Sequence, residues 1–414
     1  MERLYGLLGR KLGHSWSAPI HRALGCESYR MVEVEPEDLA AFLSREDIGG
    51  LNVTIPYKKD VIPLCREVDE EAKAIGSVNT LVKGEDGALR GYNTDIDGFR
   101  LISRLAGADF SGKKVVVLGT GGASLTVQAA ARKAGAREIA VISRTGPDNY
   151  ENLAQRHSDA DILVNATPVG MWPRVEERPV DLGIFLRLSA VLDLIYNPLR
   201  TGLLLQAQEL GIPCCGGLPM LVEQAVKAEE RFFGRTFPRG TGEKILSDLW
   251  RQRANIVLVG MPGSGKSTVG KQLAKKTGRP LIDLDEEIAR RAGKPIPDIF
   301  REEGETAFRE LEGKLLAEFS DRTGQIIATG GGAVLRPENR TALRRTGRVY
   351  WLHRDLSALP THGRPLSQGA DLEEMYRARR PLYAAAADRT VESGKTAEET
   401  AGKIWRDFCA YPGY

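Results

Sequence analysis

The chain has 414 residues, 42% of them hydrophobic and 27% charged, with a formal net charge of +3. That length suits two or three domains, each able to bury its own core, and so balanced a charge leaves no nucleic-acid footprint. No apolar run approaches the roughly 18 residues of a membrane span. The five cysteines (Cys26, Cys65, Cys214, Cys215, Cys409) lack a C-x-x-C spacing and read as reduced, mostly buried thiols. With five histidines, none in H-E-x-x-H, a protein-held transition metal is not expected. Arg10 and Lys11 interrupt the N-terminus before a signal-peptide core can develop, which points to a cytoplasmic protein. Arg290-Arg291 and Arg344-Arg345 read as solvated helix faces.

In chain order, residues 1–105 predict strands at Leu4–Leu8, Tyr29–Val34 and Leu51–Ile55, with helices from Ser17 and after Pro36. A hairpin is predicted from Asn79–Val82 and Leu89–Tyr92 around a Gly84–Gly87 turn. Residues 106–252 form a second unit, with strands at Lys114–Leu118, Ile139–Ile142, Ile162–Val164, Ala190–Leu194 and Ile212–Cys214. Its alanine-rich helix is Ala123–Ala134. A break falls at Phe233–Arg239 and a helix at Gly242–Gln252, and the stretch 218–252 is expected to pack back on the first domain. Residues 253–414 are the third unit, opening with the strand Asn255–Val259 and a helix through Val269–Ala274. The strand–helix alternation predicts an α/β protein with parallel sheets wound on both faces.

Gly260-Met261-Pro262-Gly263-Ser264-Gly265-Lys266-Ser267-Thr268 is G-x-x-x-x-G-K-[ST] between a strand and a helix. In that context the backbone N–H groups of Gly263, Ser264 and Gly265, with the helix N-terminus, cradle phosphates. Lys266 reaches the outer phosphates, Ser267 is a ligand for magnesium, and Thr268 completes the ATP-binding set. The P-loop unit therefore binds a nucleoside triphosphate.

Gly119-Thr120-Gly121-Gly122-Ala123 sits strand-to-helix like a dinucleotide turn, although its spacing is not a strict G-x-G-x-x-G. About 25 residues on, where an acidic residue would select NAD, stand Ser143-Arg144-Thr145. A guanidinium there suits the 2′-phosphate of NADP.

Residues 1–235 resemble shikimate dehydrogenases. The resemblance is carried by His14-Ser15-Trp16-Ser17 with Ile20-His21, Asn52-Val53-Thr54-Ile55-Pro56-Tyr57-Lys58, Ser77–Thr80, Asn93-Thr94-Asp95, Asn165–Met171, Asp193 with Tyr196 and Pro198, and Met220-Leu221 with Gln224. The family's fold implies a substrate domain followed by a Rossmann-like NADP domain. It implies that Ser15 and Ser17 hold the substrate carboxylate and that Thr54, Asn79, Asp95, Tyr196 and Gln224 meet the rest of the ring. Lys58, oriented by Asp95, would supply the charge or proton that the nascent alkoxide needs. NADP would contact Gly119, Gly121, Gly122, Ala123, Ser143, Arg144, Thr145, Thr167 and Gly217. Ala18 and Ser143 depart from the family's proline and asparagine. The segment from Arg144 to Asn165 is short, so part of the cofactor sheet is expected to be trimmed.

Residues 255–414 resemble shikimate kinases in Asp283-Leu284-Asp285, Phe308-Arg309, Gly330–Ala333, Arg364-Pro365-Leu366 and Arg379–Tyr383. The resemblance implies a P-loop kinase with a parallel sheet, like nucleoside-monophosphate kinases. Arg309 and Arg379 would fork a carboxylate, and Asp285 would position the attacking hydroxyl. Asp283 would join Ser267 on magnesium, Gly331 and Gly332 would admit the ring closely, and Arg364 on a lid would neutralise the transferring phosphoryl group. Leu356–Thr361 is short and lacks the extra arginine that often stacks on adenine, so a stunted lid is expected.

The two halves suggest one small acid, with the product of the first serving the second: NADPH-dependent reduction of 3-dehydroshikimate, then ATP- and Mg2+-dependent phosphorylation of shikimate. The partners are these small molecules, with neither nucleic acid nor membrane. The alternatives are a quinate/shikimate dehydrogenase using NAD fused to the kinase, a nucleotide-responsive protein with one inactive half, and a kinase for a different hydroxy acid. The short tether fixes stoichiometry and gives no ground for channelling.

Overall fold

The computed structural model describes residues 3–13, 15–359 and 372–413. Chain contacts divide it into two compact units, one comprising Met1–Asn197 with Thr201–Leu246 and the other Pro198–Arg200 with Ser247–Gly413. The division falls inside the helix Thr241–Arg253. The tether is as short as the sequence suggests, since only Ala254 separates that helix from the strand beginning at Asn255.

Among the described residues the strands of the first unit form two sheets. The first contains β1 (Leu4–Gly9), β2 (Arg30–Glu33), β3 (Ile48–Val53), β4 (Glu67–Val68), β5 (Thr80–Lys83) and β6 (Leu89–Tyr92), in the order β2-β1-β3-β5-β6-β4. β1 pairs parallel with β2 and β3, whereas β5 and β6 are the antiparallel hairpin, with Leu81 opposite Gly91. β3 ends at Val53, earlier than predicted, because the chain turns at Thr54, whose carbonyl accepts the Tyr57 N–H at 3.0 Å.

The second sheet contains β7 (Lys114–Leu118), β8 (Glu138–Ile142), β9 (Ile162–Asn165), β10 (Ala190–Asp193) and β11 (Cys214–Cys215). All are parallel, in the order β11-β10-β9-β7-β8. Alternate residues of β7 face opposite layers: Val115 and Val117 pack with Ile96, Phe99 and Ile102, Val116 and Leu118 with Leu153, Leu203 and Ala207. The chain leaves β7 for β8 on one side and returns to β9 on the other, so a crevice opens at the carboxyl end of β7. β8 is the sheet edge, and the only helix between it and β9 is Leu153–His157. The helix Leu218–Phe233 packs along the helix Asp95–Leu105. A Cβ built on Gly98 would stand 2.5 Å from the Met220 oxygen, so the close approach requires glycine. It stops at Gly234, which has φ +60°.

The second unit is one parallel sheet of β12 (Asn255–Val259), β13 (Leu281–Asp283), β14 (Ile326–Ala328), β15 (Gly347–His353) and β16 (Arg389–Glu392), in the order β13-β14-β12-β15-β16. Val257, Val259, Ile327, Val349 and Trp351 pack with Leu284, Ile288, Phe308, Leu315, Phe319 and Tyr383. The helix after the phosphate loop begins at Lys266, three residues before the prediction, and the long helix Ile296–Ser320 is interrupted at Gly304, with φ +83°. Arg290 and Arg291 are solvated and pair with Glu287 and Glu318, as expected. Arg345 is not a solvated residue: it is buried, because the helix Pro337–Thr346 turns that side inward with Ala342 and Leu343. All five cysteines are free thiols, and two of them, Cys26 and Cys215, are buried. No helix among the described residues is long and apolar enough to cross a membrane.

Candidate functional site

A cavity of about 250 Å³ in the first unit is lined by Ser15, Ser17, Thr54, Lys58, Asn79, Asp95, Tyr196 and Gln224, with Ala123 and Gly217 beside them. The acid-substrate residues predicted for this half therefore meet in one place. Asp95 is the first residue of the helix Asp95–Leu105, and Lys58 lies just beyond β3. Lys58 Nζ donates to Asp95 Oδ2 at 2.6 Å, while Asn79 Nδ2 donates to Asp95 Oδ1 at 2.9 Å. Asn79 is held in turn by the Thr94 N–H, which donates to its Oδ1 at 2.7 Å, and by the Thr80 hydroxyl at 3.0 Å. Both carboxylate oxygens of Asp95 are thus fixed, and the lysine is aimed by a support that is itself rigid. The Ser15 hydroxyl donates to Ser17 Oγ at 3.0 Å and accepts from the Ser17 N–H at 3.2 Å. Tyr196 stands 5.4 Å from the buried Trp16 ring, and burial raises its phenol pKa. Gln224 is anchored through Nε2 to the Leu221 carbonyl at 2.8 Å. His14 lies outside the described residues.

The glycine turn lies at the carboxyl end of β7. Gly119 has φ +102°, and a Cβ there would stand 3.0 Å from both the Ala166 oxygen and Thr167 Cγ2. Gly121 precedes the helix Gly122–Lys133, and a Cβ on Gly122 would lie 3.2 Å from Lys58 Cβ, so the turn presses against the residue after β3. Gly217 packs on the Leu194 carbonyl too closely for any side chain. Thr167 is tied to Asn165 Oδ1 at 2.7 Å. Ser143 Oγ accepts from the Gly146 N–H at 2.7 Å, which fixes the hydroxyl while its own O–H can still donate, and Arg144 and Thr145 are exposed beyond β8. A glycine-rich turn, a helix N-terminus and an exposed guanidinium fit the pyrophosphate and 2′-phosphate of NADP. A wider cavity of about 840 Å³ shares Ser15, Thr54, Ile55 and Tyr196 with the first and adds Arg10, Met171 and Trp172.

In the second unit a cleft of about 550 Å³ is lined by Gly263, Gly265, Lys266, Ser267, Thr268, Asp285, Arg309, Gly331, Gly332 and Arg379. Gly263 and Gly265 have φ of +86° and +95°, the conformation a phosphate cradle requires of its backbone. Lys266 Nζ donates to the Gly260 and Met261 carbonyls at 2.9 and 3.0 Å. Ser264 is buried behind the loop. Asp285 enters the cleft, but Asp283 caps the helix Leu284–Ala292 and is not part of the cleft lining. Its Oδ1 accepts the N–H groups of Asp285 and Glu286 at 3.2 and 3.4 Å. Arg379 donates to the Gly331 carbonyl at 3.3 Å, beside the Tyr383 hydroxyl at 2.6 Å, whose pKa burial pushes up to about 12. Arg364 lies outside the described residues.

Sequence reading missed Glu312. This buried carboxyl lines the cleft and accepts from Arg309 Nη1 at 2.9 Å. Burial first, and then the charge of Asp285, raises its pKa, while Arg309 lowers it. The signal was present, because Glu312 stands three residues after Arg309 on one helix face. Asn52, behind the first cavity, and Arg354 and Phe300, in the cleft, were missed as well.

Residues 262–408 match the family described as shikimate kinase, and residues 7–81 the family described as shikimate dehydrogenase substrate binding domain. The shikimate dehydrogenase (NADP(+)) of Clostridium beijerinckii is 38% identical over 246 residues, covering 55% of this chain and 90% of that protein. A solved chorismate mutase/shikimate 5-dehydrogenase fusion protein from Clostridium acetobutylicum is similar with a TM-score of 0.57 at 34% identity, over 60% of this chain and 97% of that one. The shikimate 5-dehydrogenase of Thermus thermophilus, solved with NADP(H) and shikimate, gives a TM-score of 0.52 at 33% identity, over 59% of this chain and 98% of its own.

Proposed function

The chain belongs to the shikimate dehydrogenase family and carries a shikimate kinase domain toward its C-terminal end, and from that premise we propose which of its own residues perform the two reactions. It is a bifunctional shikimate-pathway enzyme that reduces 3-dehydroshikimate to shikimate with NADPH and phosphorylates shikimate to shikimate 3-phosphate with ATP. Relatives named for NADP(+) do not favour the NAD-dependent quinate/shikimate alternative.

The observation that carries the first assignment is the 2.6 Å pair of Lys58 and Asp95 inside the small cavity. NADPH, when bound along the glycine turn, supplies the hydride. As the carbonyl oxygen gains charge, the Lys58 ammonium delivers a proton to it, and Asp95 keeps the ammonium in place. The paired hydroxyls of Ser15 and Ser17 hold the carboxylate, and Thr54, Asn79, Tyr196 and Gln224 bond the ring hydroxyls. Gly119, Gly121, Gly122, Ala123, Thr167 and Gly217 admit the cofactor backbone, and Ser143, Arg144 and Thr145 meet its 2′-phosphate.

In the kinase cleft Gly263–Thr268 cradle the triphosphate, with Lys266 as its fixed cation. Arg309 and Arg379 fork the substrate carboxylate, Gly331 and Gly332 let the backbone close under the ring, and Asp285 accepts the hydroxyl that attacks phosphorus. Arg364 is assigned to the transferring phosphoryl group from its motif alone. Ser267, with Asp283 behind it, would hold Mg2+, which neutralises phosphate charge. Among the described residues no group of three or more His, Cys, Asp or Glu is built for a metal, which suits an ion held largely by phosphates. The domains are taken as 1–105, 106–252 and 253–414, and the enzyme as cytoplasmic.

Separate assays test this reading. NADPH oxidation by 3-dehydroshikimate should outpace NADH oxidation, and ATP should phosphorylate shikimate and not gluconate. Gluconate turnover, or silence of either half, overturns it.

A further inference from the structure

We propose that Arg354 contacts the phosphates of the bound nucleotide, a role that goes beyond the kinase reading of the cleft and rests on it. β15 lies between β12 and β16. The phosphate loop leaves β12 in contact with the end of β15: a Cβ on Gly260 would stand 2.7 Å from the Leu352 oxygen. Two residues later, where β15 has ended, Arg354 joins the same cleft lining as Gly263, Gly265, Lys266, Ser267 and Thr268. Asp285 and Gly330–Gly332 follow β13 and β14, on the opposite side of β12. Arg379 reaches across to the Gly331 carbonyl from the helix Leu372–Ala386, whereas Arg354 springs from the strand end that touches the phosphate loop itself, which places it beside the triphosphate cradle.

The other cations of the cleft are already engaged. Lys266 bonds loop carbonyls, Arg309 bonds Glu305 and Glu312, and Arg379 bonds the Gly331 carbonyl. Arg354 is exposed, and among the described residues it has no hydrogen-bond or ion-pair partner. The carboxyl next to it, Asp355, is committed to the Ser357 N–H and hydroxyl at 2.9 and 2.7 Å. The point from which Arg354 springs is pinned: His353 Nδ1 lies 2.9 Å from the Glu392 carboxylate and its Nε2 2.9 Å from the Tyr376 hydroxyl. A guanidinium on a fixed base beside a phosphate cradle presents a fork suited to phosphate oxygens, at a place where the predicted lid offers no second arginine.

The test is titration of the full chain with ADP and Mg2+, without acid substrate, for wild type and for Arg354→Ala, Arg354→Gln and Arg354→Lys. Ala and Gln should each weaken ADP binding about tenfold, and Lys, which keeps the charge and loses the fork, by no more than that. The KM for ATP should rise while the KM for shikimate stays within about twofold, at an unchanged melting temperature. Unaltered ADP affinity in Arg354→Ala overturns the proposal. So does a KM for shikimate that rises as much as the KM for ATP in Arg354→Ala, which would place the guanidinium against the acid. A wild type that binds no ADP at all refutes the kinase reading itself, and is told apart from failure of this assignment by that control.

Discussion

Gly332→Ala puts one methyl group where the guanidinium of Arg309 rests. The backbone of Gly332 has φ −99° and ψ −2°, open to any residue, so the perturbation is steric alone. The added Cβ would stand 2.5 Å from Arg309 Nη2 and 2.7 Å from Cζ, about 1 Å inside ordinary contact. The far end of a flexible side chain yields before backbone does, so Arg309 must swing away. Its bonds to Glu305 at 3.2 and 3.3 Å are exposed and worth little, whereas the Nη1 bond to buried Glu312 at 2.9 Å and the fork offered to the substrate carboxylate are lost. A charge-assisted contact of that kind is worth about 1.5–3 kcal/mol, which converts to a rise of roughly 10- to 150-fold in the KM for shikimate. Glu312, whose pKa burial already raises, then loses the cation that opposes that shift, so a stability loss of about 1–3 kcal/mol accompanies the kinetic effect. Steady-state kinetics in shikimate at saturating ATP, with ADP titration and a melting curve as controls, measure this. A folded, ADP-binding variant whose KM for shikimate stays within twofold would refute the placement of Arg309.

Lys58→Ala should lower the turnover of 3-dehydroshikimate by about 10²- to 10⁴-fold and spare the kinase, as read from NADPH absorbance; a loss under tenfold would contradict the proton-donor role. Lys266→Ala should do the reverse, abolishing phosphoryl transfer while NADPH oxidation continues. Gly119→Ala forces a side chain into φ +102° against the Ala166 carbonyl. It should cost about 1–3 kcal/mol by urea unfolding and weaken NADPH binding in a fluorescence titration. Asp193 gives a pH prediction. Burial pushes its carboxyl up to about 7 despite donors from Thr201, Asn165 and the Ile195 N–H. The folded state therefore holds this proton more tightly than the unfolded one, so the group's stabilisation is full below its unfolded value and is lost as pH rises toward 7. Relative to Asp193→Asn, wild type should lose about 2 kcal/mol between pH 5 and pH 7.5 in urea unfolding, and a flat difference would contradict it.

Elements set by local chemistry were legible before folding: the strands β7 and β12, the two glycine turns and the hairpin of β5 and β6 all fall near their predicted positions. What the sequence could not show is which side chains the topology assigns to a shared support. Asn52 opens a recognised motif and Glu312 stands at helical spacing from Arg309, but only the fold shows that a strand pairing and a helix face bring them into the linings of the two sites. Arg345 reads as solvated beside Arg344, yet helix rotation buries it. Asp283 and Asp285 are equivalent in a D-x-D motif, but the first caps the helix on which the second reaches the cleft.

The central claim, one chain performing consecutive reactions, is tested most directly by giving purified protein 3-dehydroshikimate, NADPH, ATP and Mg2+ and following phosphorylated product. Shikimate 3-phosphate should appear only when NADPH and ATP are both present, should fail without NADPH, and should return when shikimate itself is added. Phosphorylation of 3-dehydroshikimate without NADPH, or shikimate accumulating with no phosphorylated product, would contradict the account.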